Sequence, residues 1–311
     1  MKSISDSLTF IIPALNEEVR ISRTLASIYR EVKNPEIIVI DNGSIDKTVQ
    51  LAQEGGAITK IFPNLNISEL RNCGVAISSN ETLIFLDADV ELGEDWGHQI
   101  KKITSNLNSN PLQITGSTCL PFLENNLVNK YWYQLLKNKK QVNYINSGHL
   151  ITTKQLFDLI HGFDSKLKTG EDYDFCMRAT KEGASISPAA ELKAYHSGYP
   201  TTIAGFANRE IWHGTSDYNS VKSFVNSKVA IVSSLFSTLL VLSIIFSVQS
   251  KSVTPILLYV AGATLCSVGL SLVKFGRLPL RFQAYNSLLF FIYLYARSTS
   301  LFVRPKRSRK N

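Results

Sequence analysis

Residues 82–89, Thr82-Leu83-Ile84-Phe85-Leu86-Asp87-Ala88-Asp89, decide how the rest of the chain is read. Five β-prone or apolar residues in a row have the length of a strand buried on both faces. The run stops at two carboxylates one residue apart. At least one acid would then stand at a sheet edge facing a cleft, and the pair repels unless a cation or a donor compensates. Oxygen ligands of this kind suit Mg2+ or Mn2+, which often take further ligands from a substrate's phosphates. Taken alone, an acidic DxD string is as easily a surface loop, so its weight comes from its position.

Upstream, strand-like and helix-like segments alternate. Residues 8–12 are a short apolar run closed by Pro13, and residues 16–32 follow at helical spacing, with Glu17 and Glu18 in the predicted first turn. Residues 36–40 are the next strand, ended by the turn cluster Asp41-Asn42-Gly43-Ser44. Helix is predicted at 46–54, strand at 58–62 and helix at 67–78, before the strand at 82–86. The pattern predicts an α/β fold, a Rossmann-like, mostly parallel sheet with helices on both faces. Polar turns follow the carboxyl end of each strand, where such sheets collect ligands. No GxGxxG or P-loop string follows the first strand, which disfavours dinucleotide dehydrogenases and P-loop enzymes.

Charge divides the 311 residues unevenly. Residues 1–221 carry 21 Lys+Arg against 25 Asp+Glu, whereas 222–311 carry 12 against none. With 44% hydrophobic and 19% charged residues, disorder is excluded. The apolar excess lies in the C-terminal part. Residues 229–248 and 253–273 contain no formal charge apart from their flanks, long enough to cross about 30 Å of hydrocarbon. The link between them fits only a hairpin. Lys222, Lys228, Lys274, Arg277 and Arg281 flank the pair and Lys251 lies between, so the positive-inside rule puts the flanks in the cytoplasm. The stretch 284–303 contains Arg297 and Asn286. It is predicted to lie at the interface, with a third full span as the alternative, and the basic tail 304–311 is predicted to stay cytoplasmic on anionic lipid. The expected division is a domain at 1–221, a membrane region at 222–303 and the tail. The basic tail lacks interleaved aromatics, so no nucleic-acid partner is expected. Cys73, Cys119, Cys176 and Cys266 form no CxxC pair and read as reduced cytosolic thiols, and no signal peptide is expected at the N-terminus.

Five strings in order carry a resemblance: Pro13-Ala14-Leu15-Asn16-Glu17-Glu18; Asp41-Asn42-Gly43-Ser44-Ile45-Asp46-Lys47-Thr48; Arg71-Asn72-x-Gly74; Phe85-Leu86-Asp87-Ala88-Asp89; and Gly170-Glu171-Asp172-Tyr173-Asp174-Phe175. Together the series resembles a family 2 glycosyltransferase of the GT-A fold, over roughly residues 7–215. The resemblance implies a nucleotide-sugar donor held by Pro13, Ala14, Asn16, Glu17, Asp41, Asn42, Arg71, Asp87 and Ala88. It implies Asp89 as ligand of a Mg2+ or Mn2+ ion, with His196 near it, and Asp172 as the base that deprotonates an acceptor hydroxyl. Gly148 and Glu171 would lie on the acceptor side. Asn42 departs from the family, in which Asp is commoner, and the Arg209–Trp212 string matches the QxxRW of processive synthases only loosely, so processivity is not expected.

Plain alternatives stand beside these roles. Glu171-Asp172-Tyr173-Asp174 is also what an ordinary acidic helix start looks like. His196 could be a satisfied histidine and Arg71 a surface cation. Tyr131, Trp132 and Tyr133 read as core more readily than as a sugar-stacking cluster, and Arg209 and Trp212 as membrane anchors more readily than as a lid. Membrane segments beside the domain favour a lipid-linked saccharide acceptor. Two other readings stay open: a polyprenyl-phosphate sugar synthase and a non-catalytic scaffold that binds a sugar nucleotide.

Overall fold

The structure is a computed structural model, and it describes residues 7–122, 126–138, 144–167 and 169–302. The basic tail expected at 304–311 lies outside the described residues. The described chain divides into two compact units, residues 7–122 with 144–198, and residues 126–138 with 199–302.

The first unit is built on β1 (Leu8–Ala14), α1 (Ile21–Glu31), β2 (Glu36–Asp41), α2 (Thr48–Glu54), β3 (Ile58–Ile61), α3 (Ile67–Ala76) and β4 (Thr82–Leu86). It continues through β5 (Val90–Leu92), α4 (Trp96–Ser109), β6 (Gln113–Gly116) and β7 (Leu120–Pro121). The chain then leaves for α5 (Leu127–Tyr131) in the second unit. It returns as β8 (His149–Thr153), α6 (Lys154–Leu159), α7 (Glu171–Lys181), β9 (Ser185–Pro188) and β10 (Ala194–His196). The main sheet has the order β3-β2-β1-β4-β8-β6-β9, with only β8 running against its neighbours.

Both sheet faces are covered, and the strands show why. Phe10, Ile12, Ile37, Val39, Ile84 and Leu86 point to one core, packed under α1, α2 and α4. Ile11, Leu83 and Phe85 point to the other, against α3, α6 and α7. Period-2 alternation with both faces apolar gives the continuous hydrophobic runs seen in the sequence. Trp96 is fully buried against Phe10 and donates its indole N–H to His149 Nε2 (2.9 Å). Burial holds that imidazole neutral, with its pKa pushed down to about 3.

Two boundaries differ from expectation for identifiable reasons. Strand β1 runs through Pro13 to Ala14 instead of ending at residue 12. Pairing with β4 has already ended at Ile11, so the missing Pro13 N–H breaks no bond on that side. Helix α1 starts at Ile21, not at residue 16, because the intervening backbone is tied to another loop: Asn16 N–H donates to Ser44 Oγ, Glu17 N–H to Thr48 Oγ1 and Glu18 N–H to Asp46 Oδ2.

A small second sheet, β5-β10-β7, pairs Val90 with His196 across antiparallel strands. That register carries His196 to the foot of the acidic loop after β4.

The second unit holds α5, a 3-10 turn at Tyr133–Asn138, α8 (Ile203–Gly214), α9 (Val221–Asn226), α10 (Lys228–Ser250), α11 (Thr254–Phe275) and α12 (Leu280–Thr299). Helices α10 and α11 are long and apolar enough to cross a membrane, by length and composition. Leu235, Val241, Phe246, Leu258, Leu265 and Val273 are exposed on them, which a helix in the core of a soluble protein would avoid. Pro255 sits in the first turn of α11, where its missing N–H breaks no helix bond, and Ser243 bonds back to the Leu240 carbonyl. Helix α12 packs on both: Asn286 accepts from Ser271 Oγ, while Ser298 pairs with Ser237 and Tyr295 with Tyr259.

The charge step at 221/222 is therefore not where the compact units divide. Glu210 and Asp217 look in the sequence like the last acids of the first domain, but both pair with Arg297 on α12, at 3.0 and 3.4 Å. Tyr131, Trp132 and Tyr133 are core residues of the second unit. Trp132 packs on Phe206, Phe290 and Tyr293, and the Lys274 ammonium lies 4.1 Å from its ring centre.

Candidate active site

The carboxyl ends of β2, β1 and β4 are adjacent, so the turns that follow them share one edge of the sheet. The loop after β4 is pinned from three sides. Thr24 Oγ1 on α1 donates to the Ala88 carbonyl (2.8 Å), Asp87 N–H donates to the Gly148 carbonyl (3.3 Å), and Ser197 gives two bonds to the Asp89 carbonyl (2.9 and 3.0 Å). On the loop's side these bonds use main-chain atoms and not the two carboxylates.

Asp87, Asp89 and His196 each offer a ligand atom, and these atoms lie within 4.8 Å of one another. Two carboxylates and an imidazole are a donor set for Mg2+ or, more readily, Mn2+. The cradle is close-fitting: a Cβ on Gly198 would fall 1.9 Å from Asp89 Oδ2. The residues therefore fit a divalent ion. The Gly198 N–H donates to His196 Nδ1 (3.0 Å) and so directs Nε2 at the carboxylates, 3.3 Å from Asp89 Oδ1. This reverses the usual arrangement, in which Nδ1–H donates outward.

Arg71, 3% exposed on α3, spans the gap to the second acidic group. Its Nη2 donates to Asp87 Oδ1 (3.0 Å) and its Nη1 to Glu171 Oε1 (2.8 Å), with the guanidinium 5.6 Å from the Phe163 ring centre. One planar fork thus joins positions 87 and 171, distant in sequence. The ordinary surface-cation reading of Arg71 is excluded by this burial.

Next to Glu171, Asp172 is buried at the start of α7. Asn146 Nδ2 donates to its Oδ2 and Tyr173 N–H to its Oδ1, both at 2.8 Å. Burial, then the charge of Glu171, raise its pKa to about 6. A carboxylate with that pKa is ionised at pH 7 yet basic enough to take a proton, as a general base requires. Gly148 lies against both sides of this gap, since a Cβ there would come 2.9 Å from Asp87 Oδ2 and 3.0 Å from Asn146 Oδ1.

The remaining expected donor residues form a neighbouring layer. Asp41 is 0% exposed, and its carboxylate accepts from the N–H groups of Gly43 and Ser44 (2.8 Å each) and from the Ser44 hydroxyl. Asn16, in a left-handed conformation at φ 54°, accepts at Oδ1 from Ile45 N–H. Glu17 pairs with Arg20, and Ala14 accepts the Asn42 N–H. Asn42 makes a matched pair with the Leu65 peptide, donating to its carbonyl and accepting from its N–H, both at 3.0 Å. An aspartate could accept there but not donate, which accounts physically for the departure at this position.

Sequence reasoning missed Asn146, Ser197, Gly198 and Thr24. Thr24, Asn146 and Ser197 act through bonds spanning 26 to 108 positions, and Gly198 through its local grip on His196. Only the Asn146-Ser147-Gly148 turn composition offered a local signal.

A Rossmann-like sheet with an acidic metal-fitting loop after β4 and a buried carboxylate facing it is the architecture of GT-A glycosyltransferases. Residues 9–157 match the family model described as Glycosyl transferase family 2, and the chain carries a family 2 glycosyltransferase domain over those residues. Among similar proteins is glycosyltransferase AglE of Haloferax volcanii, 25% identical over 218 residues that cover 64% of this chain and 70% of that one. A 4,4'-diaponeurosporenoate glycosyltransferase of Staphylococcus haemolyticus is 36% identical over 100 residues, 29% of this chain and 26% of its own length. Among solved structures, the mannosyltransferase PcManGT from Pyrobaculum calidifontis, in complex with GDP-Man and Mn2+, superposes with a TM-score of 0.63 at 13% identity. The match covers 96% of this chain and 88% of that one, and it is a likeness of fold.

Proposed function

We propose that this chain is a membrane-tethered, inverting glycosyltransferase. It moves a sugar from a nucleotide-sugar donor to a hydroxyl of a lipid-linked saccharide, in assembly of a cell-surface polysaccharide or glycan. The observation that carries the reading is the Arg71 fork, which holds the acidic loop at Asp87 and the Glu171–Asp172 pair against one another. Asp87, Asp89 and His196 would hold Mg2+ or Mn2+, and when bound the ion supplies positive charge for the diphosphate leaving group. The bound Mn2+ and GDP-Man of the structural neighbour support that class of cofactor and donor.

The protein's own part follows from the site. The lacing of the loops after β1 and β2, through Asn16, Glu17, Asp41 and Asn42, presents a fixed edge for the nucleoside. Asp172 accepts the proton of the acceptor hydroxyl as its oxygen bonds to the anomeric carbon. The bond from that carbon to the diphosphate oxygen breaks, and the nucleoside diphosphate leaves with the electron pair. A single displacement inverts the anomeric configuration. Arg71, already paired twice, keeps Glu171 from drifting toward Asp172 and raising its pKa further.

Support for the lipid-linked acceptor and for a catalytic domain on the cytoplasmic side is compositional. Two apolar helices tether the chain, and cations flank them on one side of the hairpin. An enzyme tethered in this way meets acceptors confined to the same membrane.

The test uses the full chain in native membranes, with Mn2+ and a panel of radiolabelled sugar nucleotides. Mn2+-dependent release of nucleoside diphosphate with at least one donor is expected. Asp172→Asn should keep donor binding and lose on the order of a hundredfold or more in transfer. Retained transfer in that variant would point instead to a polyprenyl-phosphate acceptor, which needs little base. Intact donor binding without turnover would make the chain a scaffold.

A further inference from the structure

Beside Asp172 stands an aromatic pair that the chemistry described so far does not use. Tyr173 is 53% exposed at the first turn of α7, and Tyr144 meets its ring edge to face, with centroids 5.6 Å apart at 84°. That geometry lets the positive ring edge of one meet the negative face of the other, and it fixes the exposed ring at small entropic cost. The backbone beneath Tyr144 is fixed too. Ile145 N–H donates to Cys176 Sγ (3.4 Å), and Asn146, one residue on, holds Asp172. Among the described residues neither phenol has a hydrogen-bond partner. Burial and the nearby Asp172 charge raise the Tyr144 pKa, which agrees with a phenol close to that carboxylate.

The charges around this pair limit what can land on it. Glu171, Asp172 and Asp174 all lie in the first turn of α7. The two arginines within reach are committed, Arg71 to Asp87 and Glu171, and Arg178 to Asp174 and the Ile160 carbonyl. A phosphate presented to Asp172 would meet the carboxylates of Glu171 and Asp174 beside two arginines that are already paired. A neutral ring with polarised C–H groups on one face and hydroxyls at its rim would meet a π face and a base.

We propose that Tyr173, braced by Tyr144, is the acceptor-specificity residue: it stacks on a neutral pyranose ring and presents one of its hydroxyls to Asp172. The acceptor class is then a saccharide terminus and not a lipid phosphate. This inference rests on the transferase reading above.

The experiment measures transfer by the full chain from its active donor to octyl glucoside, octyl mannoside and octyl N-acetylglucosaminide, with farnesyl phosphate as the competing acceptor. At least one octyl glycoside should be glycosylated and farnesyl phosphate should not. Tyr173→Ala should raise the KM for the glycoside about tenfold and leave the donor KM within twofold, whereas Tyr173→Phe and Tyr173→Trp, which keep a ring, should restore it. Tyr144→Leu, which removes the brace, should give a smaller rise in the same direction. Because Tyr173 is exposed, the melting temperature of Tyr173→Ala should match that of the unsubstituted chain. An unchanged glycoside KM in Tyr173→Ala overturns the platform while the transferase reading stands, as does farnesyl phosphate outcompeting every glycoside. Absence of turnover with any donor overturns both.

Discussion

Among single residues, Asp172 shows most directly how position sets chemistry. In water its carboxyl would titrate near the usual aspartate value; buried at the α7 N-terminus beside Glu171 it titrates at about 6. Transfer should therefore fall about tenfold for each pH unit below 6, read from kcat/KM with saturating donor. Stability carries the same signature. A carboxyl whose pKa is raised by folding adds stability below its unfolded value of 3.8, and that contribution is lost as pH rises through about 6. The shift corresponds to about 3 kcal/mol. Asp172→Asn should then melt higher than the unsubstituted chain at pH 7, by that amount less ~1 kcal/mol for the bond from Asn146, and the advantage should vanish below pH 4. Asn42 makes the opposite point, because its departure from the family pattern is a matched pair with the Leu65 peptide. Asn42→Asp should cost about 1–3 kcal/mol in denaturant unfolding at pH 7, since the Leu65 carbonyl loses its donor and faces a charge. The departure was legible in the sequence. Its purpose was not, because the partner peptide lies on the next βα connection.

Elements differ in how far sequence reveals them. β1, β2 and β4 were readable because each is buried between two covered faces, so its apolar run needs no knowledge of its neighbours; β3 is an exposed edge strand and was read from its flanking turns. α1 was read too long, since Glu17 and Glu18 look like first-turn acids when in fact their backbone is bonded to Thr48 and Asp46. The three-residue strands β5 and β10 have no sequence period of their own, yet their register brings His196 to Asp89. What remained hidden in the candidate site is therefore its long-range frame, and not its charged groups. Gly198, just past β10, tests that frame. A methyl there would fall on Asp89 Oδ2 and near His196 Cε1 (2.7 Å), so either the carboxylate or the strand end must move. Gly198→Ala should weaken Mn2+ binding by about 10–100-fold, the range seen when a ligand's support is lost. The loss should be measurable by titration of the Mn2+ electron paramagnetic resonance signal. A melting temperature close to that of the unsubstituted chain would place the effect in the site and not in the sheet. Unchanged Mn2+ affinity would remove the Asp87–Asp89–His196 group as the ion's seat.

At the scale of the whole molecule, the chain combines a family 2 glycosyltransferase domain with helices whose exposed side chains are largely oil. The proposal that α10 and α11 form a membrane-crossing hairpin makes a claim about faces that labelling can decide. Ser252 lies in the link between the two helices, and Cys73 lies half-buried on α3 of the first unit. If the hairpin crosses, the two positions are separated by the bilayer; if α10 and α11 merely lie on the surface, both are reached from one side. Among the native cysteines, Cys119 and Cys176 are buried and Cys266, half-buried within α11, is replaced by serine so that Cys73 and Ser252→Cys alone report. Ser252→Cys should react with a membrane-impermeant maleimide in right-side-out vesicles, and Cys73 only in inverted ones. Labelling of both from the cytoplasmic side would reduce the hairpin to a surface helix pair and remove the argument for a membrane-confined acceptor. That outcome would leave the Arg71 fork and the chemistry of Asp172 untouched, because every bond that builds the site belongs to the first unit.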